Sequence, residues 1–282
     1  MKAIDKLAFV VNESKEGARD LADRLETIAQ ANGVKISHTS DFPVPHGALD
    51  DVDACCVIGG DGTFLSVASE ATRCQIPLIG VNRGTLGFLT TFSAENIFER
   101  FSDVLAGKYS LNFRSLLECE TSEAPVSLAL NDVVVKSSEN ARILHVNVFA
   151  DDEFVTTYVC DGLIFSTPTG STAYTLSAGG PLIHPQAEVV SLTPICPHTL
   201  SNRSIIFPSN VKLRVENARP KEPMLIAVDG YTSLHVSEGC PLTIRQAEKQ
   251  LPIAQKVDYS HFDVVRTKLK WNGGYAGDSK DV

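Results

Sequence analysis

The sequence predicts an α/β N-terminal domain on a parallel sheet, followed by an all-β, sandwich-like C-terminal domain. Three observations predict it. In the first third of the chain, short apolar runs alternate with stretches of helical periodicity. Beyond Lys108, short β-rich runs follow one another, punctuated by Gly, Pro, Asn and Asp. The 282 residues are also enough for about two domains at a typical length near 150.

Each element has a local reason. Leu7 to Val11 is an apolar strand; Ala18, Leu21, Ala22, Leu25, Ile28 and Ala29 then recur at helical spacing until Gly33 stops them. Asp53 to Ile58 reads as a buried strand, GGDGT fills Gly59 to Thr63, and a helix is expected from Phe64 to Ala71. Ile76 to Val81 is a second buried strand. Ser93 is placed to cap a helix running to Ala106, with Gly107 ending it. Fully apolar strands between helices imply a parallel sheet covered on both faces.

The β-rich half carries runs at Leu116 to Thr121, Val126 to Leu130, Val133 to Val135, Ile143 to Phe149 and Phe154 to Cys160. Others follow at Ser204 to Phe207, Val211 to Val215, Met224 to Val228 and Leu242 to Arg245. One segment, TPTGSTAYTLSAGG at Thr167 to Gly180, breaks the pattern with small, polar residues. Tyr259 to Trp271 has a weak helical period.

Composition narrows the function. With 25 basic against 34 acidic residues, the net charge of −9 disfavours general binding to nucleic acid or to an anionic membrane. A hydrophobic content of 43% excludes a disordered chain. The seven cysteines form no CxxC pair, and several sit inside apolar runs as buried thiols do. The first residues lack the apolar stretch of a signal peptide, so a cytoplasmic protein is expected. Five histidines (His145, His184, His198, His235 and His261) show no metal-ligand spacing, and no structural zinc site is expected. Ser171 and His184 lack a nucleophile elbow.

GGDGT is the sharpest chemical signal. Between a buried strand and a helix it lies at the carboxyl edge of a parallel sheet, where ligands bind. Its glycines let backbone N–H groups approach an anion at a helix N-terminus. It is neither GxGxxG, since Leu65 replaces the third glycine, nor a P-loop. A carboxylate at Asp61 would repel a phosphate, unless Mg²⁺ intervenes or Asp61 accepts from a hydroxyl awaiting phosphorylation. A plain Gly-Asp-Gly turn is the functionless reading. Arg83, in NRGTLG, either anchors its loop or neutralises a triphosphate.

Four motifs in order carry a family resemblance: GGDGT, GVNRGTLGFLT at Gly80 to Thr90, DGLIFSTPTGSTAYTLSAGGP at Asp161 to Pro181, and TPICPHTLSNR at Thr193 to Arg203. With HFDVVRTKLKW at His261 to Trp271, the chain resembles the ATP-dependent NAD kinases along nearly its whole length. GGDGT alone is shared with diacylglycerol and sphingosine kinases and with phosphofructokinases.

The resemblance implies a reaction: the γ-phosphoryl of ATP moves to the 2′-hydroxyl of the adenosine ribose of NAD, giving NADP, with Mg²⁺ accompanying ATP. It implies an α/β nucleotide-binding domain at 1–107, an NAD-binding β-rich domain at 108–254, and a tail, 255–282, packed back on the first. Asp61 is implied as catalytic group and ligand, with Gly62 beside it. Asn131 and Asp132 match an Asn-Glu pair that holds the ribose, the acid here one methylene shorter. Asp161, Thr172, Ala173, Tyr174, Thr175, Leu176 and Ser177 are implied to line the dinucleotide pocket, and Arg142 to contact it. Val159 stands where some members carry an arginine bearing on redox preference. Asp229-Gly230 matches another dinucleotide contact or is a hairpin turn. A homodimer or homotetramer is implied, the pocket borrowing residues from a neighbour.

Two other functions compete with this one. A lipid kinase of the GGDGT group would need a basic membrane face, which the composition does not offer. A catalytically silent NAD-binding regulator is disfavoured by the intact Asp61. For an acidic chain, phosphates must be met by local devices: loop amides, helix N-termini, Mg²⁺ and single basic side chains.

Overall fold

The computed structural model describes residues 1–82, 87–138, 142–199, 201–219, 223–237 and 239–271. The chain begins β1 (Lys6–Val11), α1 (Ala18–Ala31), β2 (Lys35–Thr39), β3 (Ala54–Ile58), α2 (Asp61–Cys74) and β4 (Leu78–Asn82). It continues β5 (Phe92–Ser93), α3 (Ala94–Leu105) and β6 (Ser110–Arg114). Next come β7 (Leu117–Thr121), β8 (Ala124–Ala129), β9 (Asp132–Ser137), β10 (Leu144–Ala150), β11 (Glu153–Cys160) and β12 (Gly162–Ser166). A single 3₁₀ turn, Thr169–Thr172, leads into the short α4 (Tyr174–Ser177). The rest is β13 (Val189–Ile195), β14 (Ile205–Pro208), β15 (Leu213–Asn217), β16 (Met224–Val228), β17 (Thr232–Val236), β18 (Leu242–Gln246), β19 (Leu251–Gln255) and α5 (His261–Leu269).

The first sheet has the order β2-β1-β3-β4-β19-β6, with β5 paired to β4. All its pairings are parallel except β19 with β6. The five residues ACCVI of β3 are all buried because helices cover both faces. On one face Leu7, Phe9 and Val11 pack with Leu21 and Leu25 of α1 and Phe101 of α3. On the other, Val10, Cys55 and Val57 meet Phe64, Val67 and Ala71 of α2. That second core also takes Leu116 and Leu130, which brings the β-rich half against α2.

Local signals hold where they were strong. Ser93 caps α3 in a capping box with Asn96, and Gly107 follows the helix at φ 83°. The helix after GGDGT starts at Asp61 rather than Phe64, because an Asp-Gly-Thr first turn suits a helix N-terminus despite weak intrinsic propensity. The segment with a weak helical period contains α5, capped by Ser260.

The β-rich half is a sandwich of two six-stranded antiparallel sheets, β11-β10-β15-β18-β7-β8 and β14-β13-β12-β9-β16-β17. Inward residues of both sheets, among them Val146 and Val148 of β10 and Val133 and Val135 of β9, form one core. On β9 the alternation turns Asp132, Val134 and Lys136 to the outer face. β12 is buried along its whole length. The 167–177 segment covers its outer face, tied down by Thr167, whose N–H donates to Asn131 O at 2.9 Å and whose hydroxyl donates to Leu130 O at 2.6 Å. All seven cysteines are free thiols, five of them buried, with Cys196 exposed. Among the described residues, no helix is long and apolar enough to cross a membrane.

Candidate active site

The carboxyl ends of β3 and β4 and the N-termini of α1 and α2 surround a cavity of about 600 Å³. Its walls include Gly59, Gly60, Asp61 and Asn82, and two lysines: Lys15 from the turn before α1 and Lys268 from α5. Neither α1 nor α2 has a side-chain N-cap; Ala18 N–H of α1 donates to Lys15 O at 3.0 Å, and the remaining first-turn N–H groups are left for an anion. Asn12, just past β1, donates to the Thr63 hydroxyl at 2.9 Å and pins the start of α2 to the neighbouring strand end.

Asp61 is held by the backbone that follows β4. Its carboxylate accepts from the N–H groups of Phe88 at 3.0 Å, Leu89 at 3.2 Å and Thr90 at 3.4 Å. Gly87 makes the close approach possible, since a Cβ there would stand 2.0 Å from Asp61 Oδ1. The GGDGT and GVNRGTLGFLT motifs therefore meet at one carboxylate. Arg83 lies outside the described residues.

A second cavity, of about 300 Å³, opens on the outer face of β9 and β16, under Ala173 and Tyr174. Asn131, Asp132, Val134, Lys136, Ala227, Asp229 and Gly230 complete its lining. Asp229 has a left-handed backbone at φ 50° and clamps the turn that precedes β9. Its carboxylate accepts from Leu130 N and Asn131 N at 2.7 Å and from Asp132 N at 3.0 Å. Asp132 is 5% exposed; burial first, then the charge of Asp229, pushes its carboxyl up to about 7. Burial also pushes Asp229 up to about 6, against the lowering effect of its three amide donors. The better-solvated charge of the pair belongs on Asp229, and the proton on Asp132.

A third cleft, of about 390 Å³, adjoins the first, running between Gly60, Gly62 and Thr63 on one side and Tyr231 on the other. The Tyr231 hydroxyl is 2.7 Å from where a Cβ on Gly62 would lie. Tyr231 follows Gly230 of the second cavity, and Gly60 also lines the first.

Of the residues that sequence reasoning singled out, Asp61 lines the first cavity, Gly62 the third cleft, and Asn131, Asp132, Ala173 and Tyr174 the second cavity. Thr172 donates to Thr169 O at 3.2 Å within its 3₁₀ turn. Thr175 is fully buried, and its hydroxyl oxygen has no hydrogen-bond partner. Leu176 is half-buried and Ser177 exposed on α4. Asp161 stands apart from the cavity walls with its side chain 57% exposed, 4.0 Å from His198. Arg142 is exposed just before β10. Tyr231, Lys15, Lys136 and Lys268 escaped the sequence reading, since a lone Tyr or Lys carries no spacing signal. Among the described residues the one cluster with metal-ligand geometry, Asp50, Glu70 and Cys74, already binds the Arg73 guanidinium through both carboxylates.

The chain is similar to known proteins over most of its length. Residues 44–109 match the profile of the ATP-NAD kinase N-terminal domain, and residues 130–256 that of the ATP-NAD kinase C-terminal domain. A NAD kinase of Syntrophobacter fumaroxidans is 40% identical over 252 residues, covering 88% of this chain and 87% of its own. One of Tolumonas auensis is 40% identical over 250 residues, covering 84% and 85%. Among solved structures, yeast NADH kinase complexed with NADH superposes with a TM-score of 0.88 at 23% identity, covering 98% of this chain and 90% of that one. An Archaeoglobus fulgidus NAD kinase in complex with ATP gives 0.81 at 26% identity, covering 94% and 98%.

Proposed function

The chain belongs to the ATP-NAD kinase family, and from that premise we propose how its residues carry the reaction. The protein is a phosphotransferase that uses ATP to phosphorylate NAD to NADP. A bond forms between the ribose 2′-oxygen and the γ-phosphorus, the bond from that phosphorus to the β-bridging oxygen breaks, and ADP leaves.

In our reading the first cavity takes the triphosphate and the second takes the dinucleotide. Asp61, in the wall of the first, accepts the hydrogen bond of the 2′-hydroxyl. A carboxylate fixed by three amides serves mainly to orient that hydroxyl in a loose transfer, and receives its proton late. Gly62 supplies the narrow passage against Tyr231. Asn131 and Asp132 receive the ribose, Tyr174 offers a ring face, and Thr172, Ala173, Thr175, Leu176 and Ser177 shape the far wall. Lys15, Lys268 and the first-turn amides neutralise the triphosphate, as a chain of net charge −9 requires.

Mg²⁺ enters this reading with ATP. The Asp61 carboxylate and the Asn82 carboxamide, both in the cavity wall, are oxygen donors of the kind a hard cation uses while it keeps most of its waters and takes phosphate oxygens. Bound there, it would neutralise phosphate charge.

The residues 1–107 and 108–254 divide the work between nucleotide and dinucleotide. β6 and β19 complete the first sheet from the second segment, and α5 returns Lys268 to the first cavity. The exposed Asp161, off the cavity walls, supports a homodimer or homotetramer in which a neighbour's copy completes a pocket. Seven unpaired thiols support a cytoplasmic setting.

One observation carries the proposal: Asp61, its carboxylate fixed by three backbone amides, stands in the wall of a cavity that Lys15 and Lys268 also line. The test is to incubate purified protein with Mg-ATP and NAD, NADH or diacylglycerol. NADP is expected. Product from lipid alone, or saturable NAD binding with no turnover, would overturn it.

A further inference from the structure

The second cavity holds three ionisable groups from the strands beneath it, and two are carboxyls. Asp132 and Asp229 lie in its wall. Lys136, four residues along the same outward row of β9, is its only cation among the described residues. At about 3.3 Å per residue, the Cα atoms of Asp132 and Lys136 are roughly 13 Å apart. The Lys136 ammonium lies over the Tyr174 ring, 5.2 Å from its centroid. It makes no ion pair or hydrogen bond with a described residue, so the ring face is its one partner. A half-buried ammonium held only by a ring is poised to exchange that contact for an anion.

We propose that Lys136 is a specificity residue that holds the diphosphate of the dinucleotide. The inference rests on the reading of this cavity as the dinucleotide site. A ribose at Asn131–Asp132 directs its 5′ diphosphate away from that pair, and β9 offers one positive charge in that direction. A dinucleotide carries two negative charges on its diphosphate and must enter a cavity that already holds the carboxylate charge of Asp229. Lys136 offsets that repulsion, and Tyr174, freed of the ammonium, becomes a stacking face. The lysine therefore selects for a ligand with phosphates next to its ribose, whichever redox state the nicotinamide has.

The test measures binding without ATP for the wild type, Lys136→Met and Lys136→Arg, using NAD, NADH and adenosine as probes. Loss of one charge-assisted contact is expected to weaken NAD and NADH alike by about tenfold in Lys136→Met. Lys136→Arg should restore most of the affinity, while adenosine binds all three proteins equally and the KM for ATP does not move. Unfolding midpoints within a few degrees of one another verify that the variants fold. Unchanged NAD affinity, an equal loss for adenosine, or a loss confined to one redox state would each overturn the assignment. Binding readouts keep it separable from the catalytic reading: a wild type that binds NAD but makes no NADP refutes the kinase activity and leaves Lys136 to be judged on affinity.

Discussion

Gly87 lies so close to Asp61 that a Cβ on it would stand 2.0 Å from the carboxylate Oδ1 and 2.6 Å from the Thr90 hydroxyl. The carboxylate that lines the first cavity is thus positioned by a backbone that only glycine permits. Gly87→Ala should force Asp61 off its amide donors while leaving the apolar packing of α2 intact. We expect kcat to fall by about 10²-fold or more with KM for NAD little changed, consistent with the sensitivity of transfer to small misplacements. Steady-state kinetics beside a thermal melt checks this; a variant as active as wild type would show that the contact has no catalytic consequence.

Asp61→Asn probes the same site differently. The carboxamide keeps the size of the side chain but turns an NH₂ group toward donors from Phe88, Leu89 and Thr90 that need acceptors. NAD binding should persist, because Asn131, Asp132 and the rest of the second cavity are untouched by the change, and turnover should fall by about 10²- to 10⁴-fold. An unchanged kcat would remove Asp61 from the chemistry.

These two contacts show where sequence reasoning succeeds and where it stops. The run Asp53 to Ile58 followed by GGDGT announces a buried strand, a tight turn and a helix, because burial and glycine content are local properties. That Asp61 is held by amides near residue 88 is invisible, since any residue type presents the same N–H group. The same limit hides β6 and β19 as members of the first sheet: Asn112 pairs with Ile253 across the whole sandwich. Asp229 reads as a hairpin residue and is one, at φ 50°, yet its carboxylate also organises the turn at 130–132, far away in sequence. In each case the missing information is a long-range backbone contact with no side-chain pattern of its own.

The Asp229 clamp makes a prediction of its own. Asp229→Asn leaves one of three backbone donors facing an NH₂ group, and an unsatisfied buried donor costs about 1–3 kcal/mol. Stability should fall by that order, and the KM for NAD should rise because Asn131 and Asp132 lose their fixed backbone. Urea unfolding with parallel kinetics tests both halves. Loss of stability without any change in KM would mean that the turn is clamped for folding alone.

The buried acids set a pH dependence whose sign can be worked out. Asp132 is pushed up to about 7 and Asp229 to about 6, while an unfolded Asp titrates near 3.9. Between these values the folded chain holds protons that the unfolded chain has released, so stability is lost as pH rises from about 4 to about 7. His261 acts the other way. Burial, then the charges of Arg114 and His184, push it down to about 4, so its contribution is lost as pH falls from about 6.5 toward 4. The opposing groups blur the wild-type profile, and the difference between wild type and Asp132→Asn isolates the acid. The variant cannot ionise at that position, and Asp229, raised by burial, titrates in both proteins. Its stability relative to wild type should therefore rise between pH 5 and pH 8, by at most about 1.4 kcal/mol per pH unit, and level off above that. Denaturant unfolding of both proteins at the two pH values measures the difference. A flat difference would mean that Asp132 is ionised throughout, and that its cavity admits more water than its 5% exposure implies.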